Sequence, residues 1–186
     1  MEQQLVKDIL SGNETAFCTL IEQYQRLVFH IIQRMTKNAA VREDLAQDIF
    51  LKVYQSLENF RFESKLSTWI GRIAYNTCVN WYKKKKVLLW DDFVEEESDF
   101  ENLIGHDDSP EKLMMLSNRT EILENLIRQL PPLYGTILTL YHKENLKYNE
   151  ISEIMDLPEG TVKNYLFRAR KHLKNKLVEK YQPEEI

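Results

Sequence analysis

The segment YNEISEIMDLPEGTVKNYLFRARKHLKNKL, residues 148–177, holds two stretches of helical periodicity separated by a tight turn. Ile151, Ile154 and Met155 share one side of a short helix predicted over 148–155. Asp156, Leu157 and Pro158 cannot continue it and form the turn. Glu159, Gly160 and Thr161 open a second helix that runs to about residue 179, with Val162, Leu166, Ala169 and Leu173 facing inward. Its other side carries Lys163, Asn164, Phe167, Arg168, Arg170, Lys171 and Lys174. A short helix, a tight turn and a second helix with its functional groups in the first turns make a helix-turn-helix. A helix of this width fits the major groove of B-DNA, where Asn, Lys and Arg read base edges and Phe can touch a thymine methyl. Thr161 can offer its hydroxyl and the free amides of the helix start to a phosphate. Arg170 and Lys171 lie further along and suit backbone phosphates.

Working back toward the N-terminus, helices continue. Pro131-Pro132 ends a helix predicted from about 113 to 129, and Pro132 can start the next, to about 142, where its missing N–H costs nothing. Asn13 and Asn38 are predicted caps for helices over about 14–36 and from 39 onward. The first buries Phe17, Leu20, Ile21, Tyr24, Leu27, Val28, Ile31 and Ile32; the second presents Val41, Leu45, Ile49, Val53 and Leu57. A further helix spans about 66–85, with Trp69, Ile70, Ile73, Ala74, Thr77 and Trp81 on the helical period. No strand signature appears. The fold class is therefore all-α, in two small helical domains: a four-helix domain at 1–86, a linker at 87–111 and a helix-turn-helix domain at 112–186.

The net charge of −4 conceals a strong pattern. Residues 61–86 carry seven basic and one acidic residue, whereas 87–111 carry ten acidic residues and no Lys or Arg. Residues 159–180 return to seven basic against two acidic. Basic blocks attract polyanions through counterion release. Aromatics interleaved with them (Trp69, Tyr75, Trp81 and Tyr82; Tyr165 and Phe167) suit a nucleic acid that offers both phosphates and base faces. Apolar residues inside the linker, among them Trp90, Phe93 and Phe100, are too many for a free tether and are expected to dock on a partner. Its acidic residues suit occupation of a basic nucleic-acid path.

Other classes are set aside. No apolar run is long enough for a membrane span, and MEQQLVKDIL is not a secretory signal, so no membrane insertion is expected. Two distant cysteines, Cys18 and Cys78, point to a reducing, cytoplasmic compartment and not to a disulfide framework. The four histidines show no metal-binding spacing, and neither a phosphate-binding Gly-rich loop nor a serine nucleophile elbow is present. No catalytic residue, metal or cofactor is assigned, and the chain is read as a non-enzyme.

Three stretches, VREDLAQDIFLKVYQSLENF (41–60), STWIGRIAYNTCVNWYKKKK (67–86) and LPPLYGTILTLYHKENLKYNEISEIMDLPEGTVKNYLFRARKHL (130–173), together resemble the extracytoplasmic-function (ECF) group of bacterial RNA polymerase sigma factors. The resemblance covers almost the whole chain. It implies that the first domain binds the clamp coiled coil of core RNA polymerase through Glu43, Asp44, Leu45, Gln47, Asp48, Phe50 and Leu51. It implies further that this domain recognises and melts the minus-ten promoter element. The loop 60–67, with Phe60, Arg61, Lys65 and Ser67, and Asn76 would capture an extruded base. Trp69, Arg72 and Asn80 would support its neighbours, and Lys83 and Lys84 would hold phosphates. The second domain would read the minus-thirty-five element as duplex through Tyr148, Thr161, Lys163, Asn164, Phe167, Arg168, Arg170 and Lys171, and would meet the polymerase flap. An anti-sigma factor is an implied partner. The chain departs from many relatives at Asn80, where Asp is common, and at Asn164 and Tyr165, where Ser and Arg are common.

Two other readings compete: a helix-turn-helix regulator acting without polymerase, and a polymerase-binding adaptor that touches no DNA. The block 60–86 argues against the first, and the recognition-helix face against the second.

Overall fold

The computed structural model describes residues 2–85 and 119–180, and among these the regular structure is helical throughout. The first group holds α1 (Glu2–Leu10), α2 (Glu14–Met35), α3 (Ala39–Ser56), a 3-10 turn (Leu57–Asn59) and α4 (Leu66–Lys85). The second holds α5 (Arg119–Arg128), α6 (Pro132–His142), α7 (Tyr148–Met155) and α8 (Glu159–Lys180). The predicted acidic linker and the start of the helix predicted from residue 113 lie outside the described residues.

Local chemistry sets the boundaries. Gly12, at φ +90°, turns the chain between α1 and α2 in a conformation that an L side chain resists. The Asn13 side chain then accepts from the Ala16 amide at 3.2 Å, and Asn38 accepts from Val41 at 3.4 Å. Each satisfies one of the orphan amides at a helix start. Arg42 donates to the carbonyls of Thr36 and Lys37, both at 3.0 Å, and so fixes the α2–α3 corner. Pro132 begins α6 as expected. Asp156 closes α7 in the left-handed region at φ 55°, which an aspartate tolerates better than most residues.

The apolar stripes predicted for α2, α3 and α4 meet in a common core in which Leu20, Ile32, Ile49, Val53, Leu57, Ile70 and Ala74 are fully buried. Phe17, Ile21 and Tyr24 sit at its edge. The helix-turn-helix has its own interior of Ile151, Val162, Leu166 and Ala169.

The two groups of helices pack on each other: α2 against α6, and α4 against α7. The apolar core is continuous across the seam. Gly71 of α4 permits this approach. A Cβ there would stand 2.8 Å from Ile154 Cδ1, and Ile154 is fully buried. Polar contacts cross the seam with a consistent sign. Glu144 Oε1 meets His30 Nδ1 at 2.5 Å and Arg26 Nε at 3.4 Å. Lys65 Nζ meets Glu150 Oε1 at 2.8 Å, and Arg34 Nη2 lies 3.8 Å from Glu124 Oε2. In each pair the basic group belongs to the first set of helices and the carboxylate to the second.

Arg34 is the costliest of these groups. Its side chain is only 4% exposed, and Nε and Nη1 have no partner among the described residues. Removing a guanidinium from water costs several kcal/mol, and one carboxylate at this distance offsets it incompletely. Burial accordingly pulls the Arg34 pKa down from its ordinary value, against the opposing charge of Glu124.

Candidate nucleic-acid interface

Two surfaces collect the residues expected to touch DNA. The first runs from the loop after the 3-10 turn along α4. Arg72, Asn76 and Asn80 recur every fourth residue and form one exposed stripe, which Lys83 and Lys84 extend. Ahead of it, Phe60 packs its ring 5.1 Å from Trp69 and 4.6 Å from Phe62. Phe60, expected among the DNA contacts, is 7% exposed and forms the floor of the loop. Trp69 is half-buried on that floor and keeps part of its ring outward. Tyr75, read from sequence as an aromatic of the basic block, is also buried. Desolvation, with contributions from Cys78 and Tyr165, pushes its phenol up to about 12.

Phe62 lies in the predicted loop but was not singled out there. It is 40% exposed and held at φ 59°. A bulky aromatic in the left-handed region is uncommon and stores strain that tertiary contacts must balance. The sequence signal was the Phe60-Arg61-Phe62 alternation, which puts one ring inward and the next ring outward. Arg61 is exposed and Ser67 half-buried. Lys65 is exposed but engaged: its ammonium is paired with Glu150. Ser67 and Lys65 line a cleft of about 300 Å³ with Gln23, Arg26, Glu144 and Glu150, residues from both sides of the seam.

The second surface is the outer side of α8. Lys163, Asn164, Phe167, Arg168, Arg170 and Lys171 are all exposed, Phe167 by 67%, and Thr161 is half-buried at the helix start. Tyr148 stacks on Tyr141, centroids 5.2 Å apart and planes 16° from parallel. Lys163 Nζ lies 5.4 Å from the Tyr148 ring, and Arg170 Cζ lies 5.2 Å from the Tyr141 ring. Such cation–π contacts orient a charge without neutralising it. Arg170 also donates to His142 Nε2, from Nη2 at 3.1 Å and from Nε at 3.3 Å. Burial, and then the Arg170 charge, hold the His142 imidazole below its ordinary pKa, so its nitrogen is free to accept. Tyr141 and His142 were absent from the sequence reading because they stand on α6, outside the helix-turn-helix motif. The cleft they line with Lys147, Tyr148, Asn149 and Glu159 has a volume of about 560 Å³.

A third surface lies on α3. Glu43, Asp44, Gln47, Asp48 and Leu51 are exposed, and Leu51 and the neighbouring Tyr54 show about half their surface. Leu45, expected both on the packing stripe and among the contacts, and Phe50, expected among the contacts, are buried at 4% and 8% exposure and face the core. Their place at the core-facing positions of the helical period accounts for the difference. Tyr54 extends the exposed stripe instead. An apolar pair flanked by carboxylates is the pattern of a protein-docking surface with a charged rim.

Among the described residues no group of His, Cys, Asp and Glu has metal-binding geometry, and no helix is long and apolar enough to cross a membrane.

Comparison with known proteins places these surfaces in context. Residues 20–87 match the family model for Sigma-70 region 2, and residues 120–173 match that for Sigma-70, region 4. The ECF RNA polymerase sigma-E factor of Haemophilus influenzae is 35% identical over 180 residues, covering 95% of each chain. The RNA polymerase sigma-H factor of Pseudomonas aeruginosa is 35% identical over 173 residues, covering 91% of this chain and 90% of that protein. Among solved structures, CnrH in complex with the cytosolic domain of CnrY matches with a TM-score of 0.65 at 17% identity, over 94% of this chain and 96% of that one. The sigma factor RpoE of Bartonella quintana, in complex with the anti-sigma factor NepR, matches with a TM-score of 0.64 at 19% identity, over 87% of this chain and 96% of that one. At those identities the structures speak for the fold; the curated relatives speak for the family. Region 2 covers the first surface and region 4 the second, and an independently acting helix-turn-helix regulator has no use for the former. The chain belongs to the ECF sigma factors, the promoter-specificity subunits of bacterial RNA polymerase.

Proposed function

We propose that residues 1–86 bind core polymerase and open the minus-ten element, that residues 112–186 read the minus-thirty-five element, and that residues 87–111 connect them through the enzyme. The observation that carries this division is the exposed stripe Arg72, Asn76, Asn80 on a helix whose opposite side is core. Melting exposes bases at an energetic cost, and a polar side chain that hydrogen-bonds a base edge beside aromatic surface offsets it. Asn76 supplies the amide, and Trp69, on its Phe60 floor, supplies the ring. Arg61, Ser67, Lys83 and Lys84 flank the strand, and Lys65 joins them once released from Glu150. On α8, Lys163, Asn164, Phe167 and Arg168 meet base edges. Tyr148, Thr161, Arg170 and Lys171 meet the backbone.

Polymerase docks on Glu43, Asp44, Gln47, Asp48 and Leu51 of α3, and its flap meets the second domain. Catalysis belongs to the polymerase, and this chain confers promoter choice without chemistry of its own. It works in the cytoplasm, where its partners are core polymerase, promoter DNA and an anti-sigma factor; the similar structure of RpoE from Bartonella quintana holds such a partner. Run-off transcription with bacterial core polymerase tests the reading. Adding the chain is expected to give promoter-dependent initiation, and no change in start-site choice would reject it.

A further inference from the structure

The proposed function gives Arg170 to the DNA backbone and leaves its neighbour His142 without a task; the inference drawn here rests on that function. His142 is the last residue of α6, and both side chains are exposed on the surface proposed to read the upstream element. Arg170 aims two N–H donors at one imidazole nitrogen, with Nη2 at 3.1 Å and Nε at 3.3 Å from Nε2. A guanidinium donates and never accepts, so Nε2 carries no proton in this arrangement and the ring is neutral. Tyr141 braces both groups: its ring lies 5.2 Å from Arg170 Cζ and meets the imidazole edge-on, centroids 4.9 Å apart. A DNA phosphate that reaches the guanidinium therefore also reaches Nε2, where a lone pair opposes it. One proton on that nitrogen turns the lone pair into a second donor aimed at the same anion.

We propose that His142 and Arg170 form one phosphate site for the upstream duplex, in which Nε2 takes a proton from solvent as the phosphate arrives and donates to it beside the guanidinium. The free chain is set against that proton, and the complex is set for it. Before DNA arrives, burial and then the Arg170 charge hold the imidazole below its ordinary pKa. A phosphate beside both groups offsets the Arg170 charge and adds an acceptor for the new N–H, so the imidazole pKa rises on binding. The carbonyl end of α6 favours the resulting cation. The other charges nearby leave this balance to Arg170. Lys147, just before α7, and Glu159 of α8 line the neighbouring cleft with opposite signs, and Tyr148 of α7 stacks on Tyr141. Lys143 pairs with Glu124 of α5, and Arg26, His30 and Arg34 of α2 pair with Glu144 and Glu124. Because the imidazole pKa is raised in the complex, the added affinity is fully present below its value in the free chain and is lost as pH rises through its value in the complex.

The test uses holoenzyme assembled from the full chain and core polymerase, titrated with a labelled duplex that carries the minus-thirty-five element. Affinity is expected to rise about tenfold between about pH 8 and about pH 5.5, the factor that one pKa unit gained in the complex confers. Two variants separate a charged ligand from a merely structural one. His142→Gln keeps an acceptor for Arg170 but cannot take the proton, and its affinity is expected to stay low across the range. His142→Lys carries a fixed cation, and at about pH 8 it is expected to bind as the unmodified chain binds at about pH 5.5. The same pH dependence in His142→Gln as in the unmodified chain would overturn the site, and so would equal loss of affinity in the Gln and Lys variants. Both outcomes leave the sigma function standing. Holoenzyme whose affinity ignores the upstream sequence at every pH would instead reject the proposed function.

Discussion

The two surfaces proposed for DNA use the same residue types under opposite constraints. On α8, Lys163 and Arg170 sit over the rings of Tyr148 and Tyr141, and Arg170 leans on a neutral imidazole. Among the described residues no carboxylate forms an ion pair with either cation. Just before α4, Lys65 is instead held by a carboxylate from the second set of helices. One surface carries its cations over rings; the other holds a cation in an ion pair. The contrast shows that counting basic residues along a sequence finds a polyanion-binding chain but not the state in which it waits.

The largest test of the contrast concerns whether the two surfaces sit on one cooperative body. Ile154→Ala removes a fully buried side chain from the seam and is expected to cost about 2–5 kcal/mol, read by urea unfolding. Loss confined to α5–α8, with α1–α4 unaffected in hydrogen exchange, would separate the domains and dissolve the comparison. Next, Lys163→Ala is expected to weaken a minus-thirty-five duplex by roughly tenfold, since a base-edge contact contributes about 1–3 kcal/mol. It should leave binding to a single-stranded minus-ten oligonucleotide unchanged. Tyr141→Ala should then remove the support of Arg170 and Tyr148 while leaving every cation in place. A loss of about 0.5–1 kcal/mol in duplex affinity, a few-fold by titration, is the expected scale for such a contact.

The smallest effect is set by pH. Burial pushes the Glu150 carboxyl up, but the Lys147 amide and the Lys65 ammonium outweigh it and hold the group below 4.5. Glu124 behaves alike: burial raises it, and Lys143, Arg34 and Arg128 lower it further. Carboxylates depressed on folding contribute stability that is fully present above their ordinary value and is lost as pH falls through the depressed one. Folding stability is therefore expected to hold from neutral pH to about 4.5 and to fall below it, followed by urea unfolding across that range. Glu150→Gln should flatten that dependence.

Much of this was legible in the residues. The caps at Asn13 and Asn38, Pro132 at its helix start and the Asp156 turn depend on local chemistry, so the helix boundaries followed from neighbours in sequence. The exposed side of α8 followed from a single period. Burial of Leu45 followed from its stripe, but burial of Phe50 and Phe60 did not, because an apolar residue named as a contact and one named as core look identical until the third dimension chooses. The seam was least visible. Residues 112–158 sum to near neutrality, yet Glu124, Glu144 and Glu150 all point at cations more than 80 residues away. Gly71 read as an ordinary helical glycine, and only the approach of Ile154 gives it a reason.

Permanganate reactivity of unpaired thymines, combined with a footprint of the upstream element in the presence of core polymerase, tests the division of labour most directly. Asn76→Ala is expected to keep the upstream footprint and lose most of the permanganate signal, while Lys163→Ala loses the footprint first. Equal loss of both signals in both variants would contradict it.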